Sequence, residues 1–214
     1  MSRIVVIGGT GYAGSAIVAE AASRGHQVTA VSRTQPADSI PGVTYVPADA
    51  TDESALAGVI AGADVVVAAL APRGPLAESF REVNRTIAGL ADAHQARLFV
   101  VGGFSSLRPA AGAPRFVADP NNVPDVVRDE ILAGAALVID DLPATQQTLD
   151  WVFVSPALGF GAYAPGERTG TYRLGDEVAV DPTGGAISAP DYALGFIDLV
   201  ERDDHHRAQV NLAH

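Results

Sequence analysis

The chain has 214 residues, of which 48% are hydrophobic and 18% charged, a balance typical of one globular domain and not of a disordered protein. Its 25 acidic residues outnumber 14 basic ones, all of them arginine because the sequence contains no lysine, and the formal charge of −11 repels phosphate backbones and anionic membrane surfaces. Cysteine is absent, which excludes disulfides, thiolate catalysis and metal sites with cysteine ligands. We therefore expect a small-molecule partner rather than nucleic acid or a membrane.

The first two thirds of the chain alternate between short apolar runs and longer helical stretches. The runs contain almost no polar residues, which favours strands covered on both faces, as in a parallel sheet. They are Ile4–Ile7, Val28–Val31, Val43–Val46, Val65–Ala69, Leu98–Val101 and Trp151–Val154. The helices predicted between them are Ala13–Arg24, Glu53–Ala61, Leu76–His94 and Asp125–Asp140, with Asp52 as an N-cap of the second. This alternation predicts an α/β fold with a doubly wound parallel sheet of the Rossmann type.

The last third has a different composition. Residues 156–190 are rich in glycine and proline and predict a small C-terminal cap over a substrate site, with a hairpin at Tyr172–Val180. A helix at Pro190–Glu201 and a short apolar run at Gln209–Leu212 follow. Prolines at four positions within 109–124 indicate a mobile loop. We predict one domain over residues 1–214, with the cap at about 156–190, in a monomer or homodimer.

No apolar stretch of the sequence is long enough to cross a membrane. The first run, Ile4–Ile7, ends at Gly8 and is too short for the core of a signal peptide. We therefore expect a cytoplasmic protein.

A glycine-rich turn follows the first strand and opens the first helix. Its glycines have the spacing G-x-x-G-x-x-G, which suits a tight turn, close approach of a pyrophosphate, and close packing of the helix on the sheet. The helix N-terminus offers free N–H groups and a positive dipole end to the phosphates. The predicted dinucleotide-binding residues here are Gly8, Thr10, Gly11, Tyr12, Ala13 and Gly14. A purely structural turn is the alternative.

The second strand ends at Ser32-Arg33, where enzymes that prefer NAD usually carry an acidic residue for the ribose 2′-hydroxyl. A hydroxyl and a guanidinium suit a 2′-phosphate instead, so we predict NADP as the cofactor, with NAD as the alternative. An exposed loop arginine without a ligand is the competing interpretation of Arg33. The other predicted cofactor-binding residues follow later strands: Asp49, Ala50, Ala69, Leu70, Ala71, Gly102 and Pro156.

These residues and several later segments resemble the atypical short-chain dehydrogenases/reductases, and within them the NADH-flavin reductase group of the NmrA-like NAD(P)H-binding proteins. The resemblance covers nearly the whole chain. It depends on Ile7–Gly14, Arg97–Leu107, Leu149–Trp151 leading to Ser155–Ala157, Pro165–Gly170, and Ile187–Tyr192. The family implies a Rossmann-type sheet, a bound NAD(P), and reduction of flavins or other small conjugated substrates.

The chain departs from the family pattern at two positions. After the fifth strand, relatives usually have a Gly-Gly-Ala-Gly-Ser-Leu-like turn, whereas this chain has Phe104 and Ser105. Near Val127-Arg128, relatives often have Tyr-Lys. Both differences bear on which substrate the chain takes.

The sequence offers few groups for proton transfer. The Tyr-x-x-x-Lys pair of typical short-chain dehydrogenases cannot exist without lysine, and arginine does not replace it because it stays charged and differs in geometry. Ser105 and Ser106 are the candidate catalytic residues, with a turn stabilised by their hydroxyls as the alternative. Arg128 is a candidate contact for an anionic substrate, or else an exposed helical arginine.

Three aromatic residues and three histidines complete the candidates. Phe104, Phe160 and Tyr163 are predicted to form an aromatic floor for a planar substrate ring, with core or loop packing as the alternative. His205, His206 and His214 are interpreted as part of a solvated tail, and no metal site is predicted.

The function predicted from the sequence is an NAD(P)H-dependent oxidoreductase that transfers hydride to a flavin or a similar planar acceptor. A non-catalytic NAD(P)-binding sensor, as among NmrA-like regulators, is one alternative. An NAD(P)-dependent epimerase or dehydratase is another, and the missing Tyr–Lys pair disfavours it. An open apolar pocket over the nicotinamide would favour a reductase, and a pocket filled by Phe104 and residues 109–124 would favour a sensor.

Overall fold

An eight-stranded sheet forms the centre of the protein, in a computed structural model that describes residues 1–214. The strands are β1 (Arg3–Ile7), β2 (Gln27–Ser32), β3 (Val43–Pro47), β4 (Val65–Ala68), β5 (Arg97–Val101), β6 (Trp151–Pro156), β7 (Arg173–Gly175) and β8 (Ala208–Ala213). The helices are α1 (Tyr12–Ser23), α2 (Glu53–Ile60), α3 (Phe80–Ala93), α4 (Arg128–Ala136) and α5 (Ala189–Arg202). The strand order is β3-β2-β1-β4-β5-β6-β8-β7, parallel throughout except for β7. This topology confirms the predicted α/β fold with a Rossmann-type sheet.

The strands are apolar because helices cover both faces of the sheet. Every residue of β4 and of β6 is buried. On one face, Ile17 of α1 and Phe196 of α5 belong to a single core cluster with residues of the sheet. On the other face, Leu56 of α2 and Ile87 of α3 belong to a second cluster, together with residues that follow α4. The predicted strands therefore agree with the structure to within two residues at each end.

The helix boundaries differ more from the prediction than the strand boundaries do. Asp52 caps α2 as predicted, its Oδ1 accepting the N–H of Ala55 over 3.0 Å. The helix predicted from Leu76 begins only at Phe80, because Gly74 has a left-handed φ of +58° and a separate 3₁₀ turn precedes α3. The helix predicted at Asp125–Asp140 is a 3₁₀ turn, then α4, then a wider π-helical turn. None of the helices is both long enough and apolar enough for a membrane crossing.

The hairpin predicted at Tyr172–Val180 is wrong. Its first arm forms β7, but β7 pairs antiparallel with Asn211–Ala213 of β8. After the turn, Val178 makes a bridge to Arg108 instead of returning along β7. The strand pattern was present in the sequence, but both partners come from distant parts of the chain.

The solvated tail predicted around the last histidines is only partly right, because His206 and His214 are exposed but a strand lies between them. The run Gln209–Leu212 belongs to β8, which lies between β6 and β7 in the sheet. His205 Nδ1 is 2.6 Å from a carboxylate oxygen of Asp204, His206 Nδ1 is 3.0 Å from one of Asp150, and His214 Nε2 is 3.0 Å from one of Asp191. The hydrogen bond to Asp150 raises the pKa of His206. Two of these partners are remote in sequence, so spacing alone did not indicate them.

One buried carboxylate, Asp191 near the start of α5, ties the cap to the rest of the protein. One of its oxygens accepts the N–H of Thr169 and the hydroxyl of Ser188, and the other accepts the N–H of Gly170, each over 2.8 Å. Burial alone would raise the pKa of Asp191, but these hydrogen bonds outweigh it and lower the pKa to about 2. The loop at 165–170 is therefore fixed to α5 by an ionised side chain.

Replacing Asp191 by asparagine is expected to lower the free energy of unfolding by about 2–4 kcal/mol, because the amide group would direct an N–H at groups that are themselves donors. Urea denaturation at pH 7 measures the effect. Asp38→Asn is the matched control, since Asp38 is exposed, and its free energy of unfolding should stay within about 0.5 kcal/mol of the wild type.

The contribution of the Asp191 charge should also depend on pH. Its pKa in the folded protein, about 2, lies below that of the unfolded chain. The stabilisation is therefore complete above the unfolded value and is lost as the pH falls through the folded value, by roughly 2 kcal/mol between pH 5 and pH 2. Urea unfolding of the wild type and Asp191→Asn across this range should show their difference shrinking. A difference that stays constant would contradict the role of the charge.

Candidate functional site

A cleft of about 1340 Å³ opens at the carboxyl ends of the parallel strands. It lies at the end of β1, which has β2 on one side and β4 on the other. From β1 the chain continues to β2 and β3 on one side of the sheet, and from β4 it continues to β5 on the other side. Ligands of doubly wound sheets bind in the crevice at such a point. The loops that follow β1 to β6 all contribute residues to the wall of this cleft.

The turn between β1 and α1 is built closely against the end of β4. Gly8 has a φ of +86°, and its N–H donates to the carbonyl of Val31 over 2.8 Å. A Cβ at Gly8 would lie 2.3 Å from the carbonyl oxygen of Ala69, so only glycine fits. The N-terminus of α1, which begins after Gly11, has neither a side-chain cap nor an acidic residue in its first turn. Its free N–H groups and positive dipole end are available to an anion such as a pyrophosphate.

The cleft wall contains every predicted cofactor-binding residue except Gly14. The residues present are Gly8, Thr10, Gly11, Tyr12, Ala13, Ser32, Arg33, Asp49, Ala50, Ala69, Leu70, Ala71, Gly102 and Pro156. Gly14 is buried, and a Cβ there would lie 2.1 Å from the carbonyl oxygen of Gly8. Its place in the motif is explained by α1 packing directly on the turn.

Arg33 is exposed at one end of the cleft, after β2. It is the arginine of the chain whose guanidinium makes neither a hydrogen bond nor an ion pair with another residue, whereas most of the others bind carboxylates. The neighbouring Ser32 hydroxyl donates to the carbonyl of Thr34 over 2.7 Å. A free guanidinium at the edge of a cleft can accept an anionic ligand without breaking an existing bond.

Asp49 faces Arg33 across this end of the cleft but is used in a turn. Its Oδ1 accepts the N–H of Thr51 over 2.9 Å and the Thr51 hydroxyl over 2.8 Å. These hydrogen bonds, with a smaller contribution from the charge of Arg33, lower the pKa of Asp49. The Asp49 carboxylate therefore shapes the loop before α2.

The opposite end of the cleft is aromatic. Phe104 stacks on Phe116, with ring centroids 4.7 Å apart and an angle of 28° between the planes. Tyr163 is exposed and fixed by its hydroxyl, which donates to the carbonyl of Leu158 over 2.8 Å. Phe160 reaches the cleft wall, but its ring packs against Tyr12 and Tyr192. The predicted aromatic floor thus has Phe104 and Tyr163 at the cleft, while Phe160 joins a packed aromatic cluster.

Sequence reasoning missed Phe116. It lies in the loop at 109–124, where nothing in the local pattern distinguishes a residue that faces the cleft. Only the contact with Phe104, twelve positions earlier, places it there.

The two candidate catalytic serines differ in environment. Ser106 is buried, donates to the carbonyl of Gly103 over 2.9 Å, and accepts the side-chain N–H of Gln209 over 2.8 Å. Gln209 also donates to Ser155, so the Ser106 hydroxyl belongs to a structural network. Ser105 lines the cleft, and its hydroxyl makes no hydrogen bond within the chain. Neither serine contacts a base that could activate it as a nucleophile.

Arg128 does not line the cleft. Its guanidinium binds Asp125 at 2.5 Å on the same stretch of chain, which supports the interpretation as a helical surface arginine. The charged residues at this end are instead Arg73, in the loop after β4, and Glu130, on α4, which form an ion pair with each other. No local pattern indicates this pair, because its members are 57 positions apart in the chain.

The tyrosines on the cleft wall are already hydrogen-bonded. Tyr12 donates its hydroxyl to the carbonyl of Pro165 over 3.3 Å, and burial raises its pKa. Tyr163 donates to Leu158, as described above. The cleft wall contains no histidine. The Ser105 hydroxyl, in the turn that follows β5, is a neutral hydrogen-bond donor on the cleft wall, and it has no partner in the protein.

A cluster of Asp150, Asp203 and His206 lies outside the cleft, with ligand-type atoms within 4.8 Å of one another. Arg97 forms ion pairs with both carboxylates, at 2.7 Å to Asp150 and 2.9 Å to Asp203. The arginine already supplies the cation that these carboxylates need, so the cluster is explained as a structural ion-pair network.

Gly11→Ala is expected to fold with a free energy of unfolding within about 1 kcal/mol of the wild type, because its φ of −74° suits alanine and the nearest atom to the new Cβ, the Gly8 carbonyl oxygen, is 3.3 Å away. Its affinity for NAD(P)H should fall by about tenfold or more, because a Cβ at this position blocks the close approach of the pyrophosphate to the backbone. Gly14→Ala, whose Cβ would meet the same oxygen at 2.1 Å, should instead lose stability. Calorimetric titration and urea denaturation separate the two effects. Unchanged affinity in Gly11→Ala would place the phosphates away from this turn.

Comparison with known proteins identifies the family. The profile of the NAD(P)H-binding family matches residues 8–203. YwnB of Bacillus subtilis is 34% identical over 208 residues, which are 95% of this chain and 94% of the relative. A solved structure from Streptococcus pneumoniae, described as a candidate NADH-flavin reductase, is 30% identical with a TM-score of 0.86 over 100% of both chains. A candidate epimerase from Bacteroides thetaiotaomicron is 32% identical with a TM-score of 0.84, over 100% of this chain and 97% of its own. The chain therefore belongs to the NAD(P)H-binding family, as its resemblance to the NmrA-like proteins predicts.

Proposed function

We propose that the protein is an NADPH-dependent reductase that transfers a hydride to a flavin or a similar planar acceptor. The observation that carries the proposal is the wall of the cleft beyond the glycine turn. That wall is aromatic, and its tyrosine hydroxyls are committed to backbone carbonyls. NADPH bound at the turn would supply the hydride, and the protein would align the two rings.

The cleft wall has no histidine, and its tyrosine hydroxyls are already hydrogen-bonded, which favours an acceptor that needs no proton donor from the protein. Reduction of a ketone or aldehyde needs a proton at oxygen as hydride reaches carbon, and a positioned tyrosine or histidine normally provides it. A flavin or quinone spreads the added charge over a conjugated ring system and can take its proton from water. Such a reaction requires mainly that the two rings be held face to face. The same argument disfavours an epimerase or dehydratase, which must move protons during its cycle.

The size of the cleft supports a second ligand beside the cofactor. Its volume of about 1340 Å³ exceeds the range of roughly 300–1,000 Å³ typical of a pocket for one ligand. Phe104 and Phe116 lie on its wall and leave it continuous. An open cleft of this kind favours a reductase over a sensor whose pocket is filled. The Streptococcus pneumoniae relative, with its description as a candidate NADH-flavin reductase, supports the same assignment.

The direct test is oxidation of NADPH by the purified chain, followed at 340 nm without oxygen, with riboflavin, lumiflavin and a benzoquinone as acceptors. We expect turnover with at least one of them. Tight NADPH binding without turnover on any acceptor would contradict the reductase and favour a sensor. No binding of either nicotinamide cofactor would contradict both.

The proposed preference for NADPH depends on Arg33, the arginine without an internal partner. Arg33→Asp should raise the KM for NADPH by roughly 10- to 100-fold, since a hydrogen bond to a charged group contributes about 1.5–3 kcal/mol. The KM for NADH should change by less than about threefold, because NADH has no 2′-phosphate for Arg33 to bind. Arg85→Asp is the control, as Arg85 contacts only the carbonyl of Arg81 on α3. Equal effects on both cofactors would remove the basis for the preference.

Turnover of riboflavin should vary little with pH. No side chain on the cleft wall is a histidine, and burial raises the pKa of Tyr12, away from the neutral range. We expect kcat to change by less than about threefold between pH 6 and pH 9, and Ser105→Ala to reduce kcat by less than about tenfold, since an isolated hydroxyl can only position a ligand. A steep, sigmoidal pH profile that disappears in Ser105→Ala would instead assign Ser105 to proton transfer.

A further inference from the structure

The charged residues on the cleft wall form two separate groups. Arg33 and Asp49 follow β2 and β3, on one side of β1 in the sheet. Arg73 follows β4, and Glu130 lies on α4, which connects β5 to β6 on the other side of β1. No further charged side chain lines the cleft. The Arg73–Glu130 pair is therefore the only source of charge at the acceptor end.

The Glu130 carboxylate depends on the ion pair more than Arg73 does. The Glu130 side chain is 28% exposed and the Arg73 side chain 70%, so the carboxylate is the more buried partner. Arg73 is presented by a constrained loop, between Pro72 and Gly74, where the Arg73 N–H donates to the carbonyl of Ala71 over 2.8 Å. The two opposite charges balance each other, and the wall around them is apolar, with Ile131 next to Glu130 on α4.

From this arrangement we infer that the acceptor is an uncharged planar molecule and that the Arg73–Glu130 pair sets the preference; the inference rests on the reductase function proposed above. An anionic acceptor at Arg73 would also lie beside the Glu130 carboxylate, whose negative charge opposes it. A cationic acceptor at Glu130 would meet the guanidinium of Arg73 in the same way. The formal charge of −11 further opposes the approach of anions. A neutral ring can lie along Phe104 and Phe116 without disturbing the pair.

Riboflavin and FMN provide the test, because they share one redox-active ring system and differ by a phosphate group. With NADPH saturating, the wild-type chain should show a kcat/KM for riboflavin about fivefold above that for FMN, the size expected of one partly exposed interaction between like charges. Glu130→Gln frees the guanidinium of Arg73 and should raise the FMN-to-riboflavin ratio about tenfold. Arg73→Gln leaves the carboxylate alone and should lower that ratio.

Glu82→Gln is the matched control, since Glu82 is exposed on α3 and has no ion pair. It should leave both kcat/KM values and their ratio unchanged. The KM for NADPH should stay the same in all three variants, because the pair lies on the other side of β1 from Arg33. Thermal unfolding checks that each variant is folded.

The outcomes separate the two proposals. A wild-type kcat/KM for FMN equal to or above that for riboflavin contradicts the inference and leaves the reductase function in place. A ratio that does not move in Glu130→Gln contradicts the role of the ion pair. No oxidation of NADPH with either flavin contradicts the inference, and it contradicts the reductase function as well if lumiflavin and a benzoquinone also give no turnover.

Discussion

The structure depends on one close approach between backbone segments, at the turn that joins β1 to α1. The carbonyl of Ala69 occupies the place that a side chain at Gly8 would need, and α1 rests on Gly8 through Gly14. Two strands and a helix therefore meet with no side chain between them. Because main-chain atoms form this corner and α1 begins there without a side-chain cap, the crevice at the edge of the sheet can receive a phosphate. The backbone contact that packs β1, β4 and α1 together thus also forms part of the cleft wall.

The second feature that shapes the cleft is the pairing of its charged side chains. In a protein with an excess of acidic residues, most arginines are held by carboxylates, as Arg24 is by Glu20, Asp198 and Glu201 where α1 packs on α5. Arg33 differs because its loop brings no carboxylate into contact with it. Together with the uncapped N-terminus of α1, it gives one half of the cleft donors for an anion that have no partner in the protein, while the Asp49 carboxylate in the same half is bonded to Thr51. In the other half, Arg73 and Glu130 are paired with each other. The two halves of the cleft therefore differ in the groups that they leave free for a ligand.

Local sequence was sufficient for the parts of the structure whose causes are local. The buried runs predicted the strands, because a strand covered on both faces has to be apolar along its length. The glycine turn predicted the position of the cleft, since its constraint acts within a few residues. The hairpin prediction failed at β7, where the residues are strand-forming but the partner strand is β8.

The features of the site that sequence did not predict are contacts between distant segments. Phe116 lies on the cleft wall stacked on Phe104, and Glu130 lies there paired with Arg73. The histidines of the last segment have the same explanation, because the carboxylate beside His214 comes from α5. In each case the side chain is ordinary for its local environment. Its role is set by tertiary packing, which no window of neighbouring residues contains.

The short strand β7 also affects whether the edge of the sheet can pair with another chain. Without it, β8 would be the last strand of the sheet, with unpaired N–H and C=O groups along one edge of an almost entirely buried strand. An edge of this kind is a template for pairing with another chain. β7 covers the end of β8 with only three residues, in the opposite direction, and begins with the charged Arg173. The strand β7 thereby protects this edge of the sheet against aggregation.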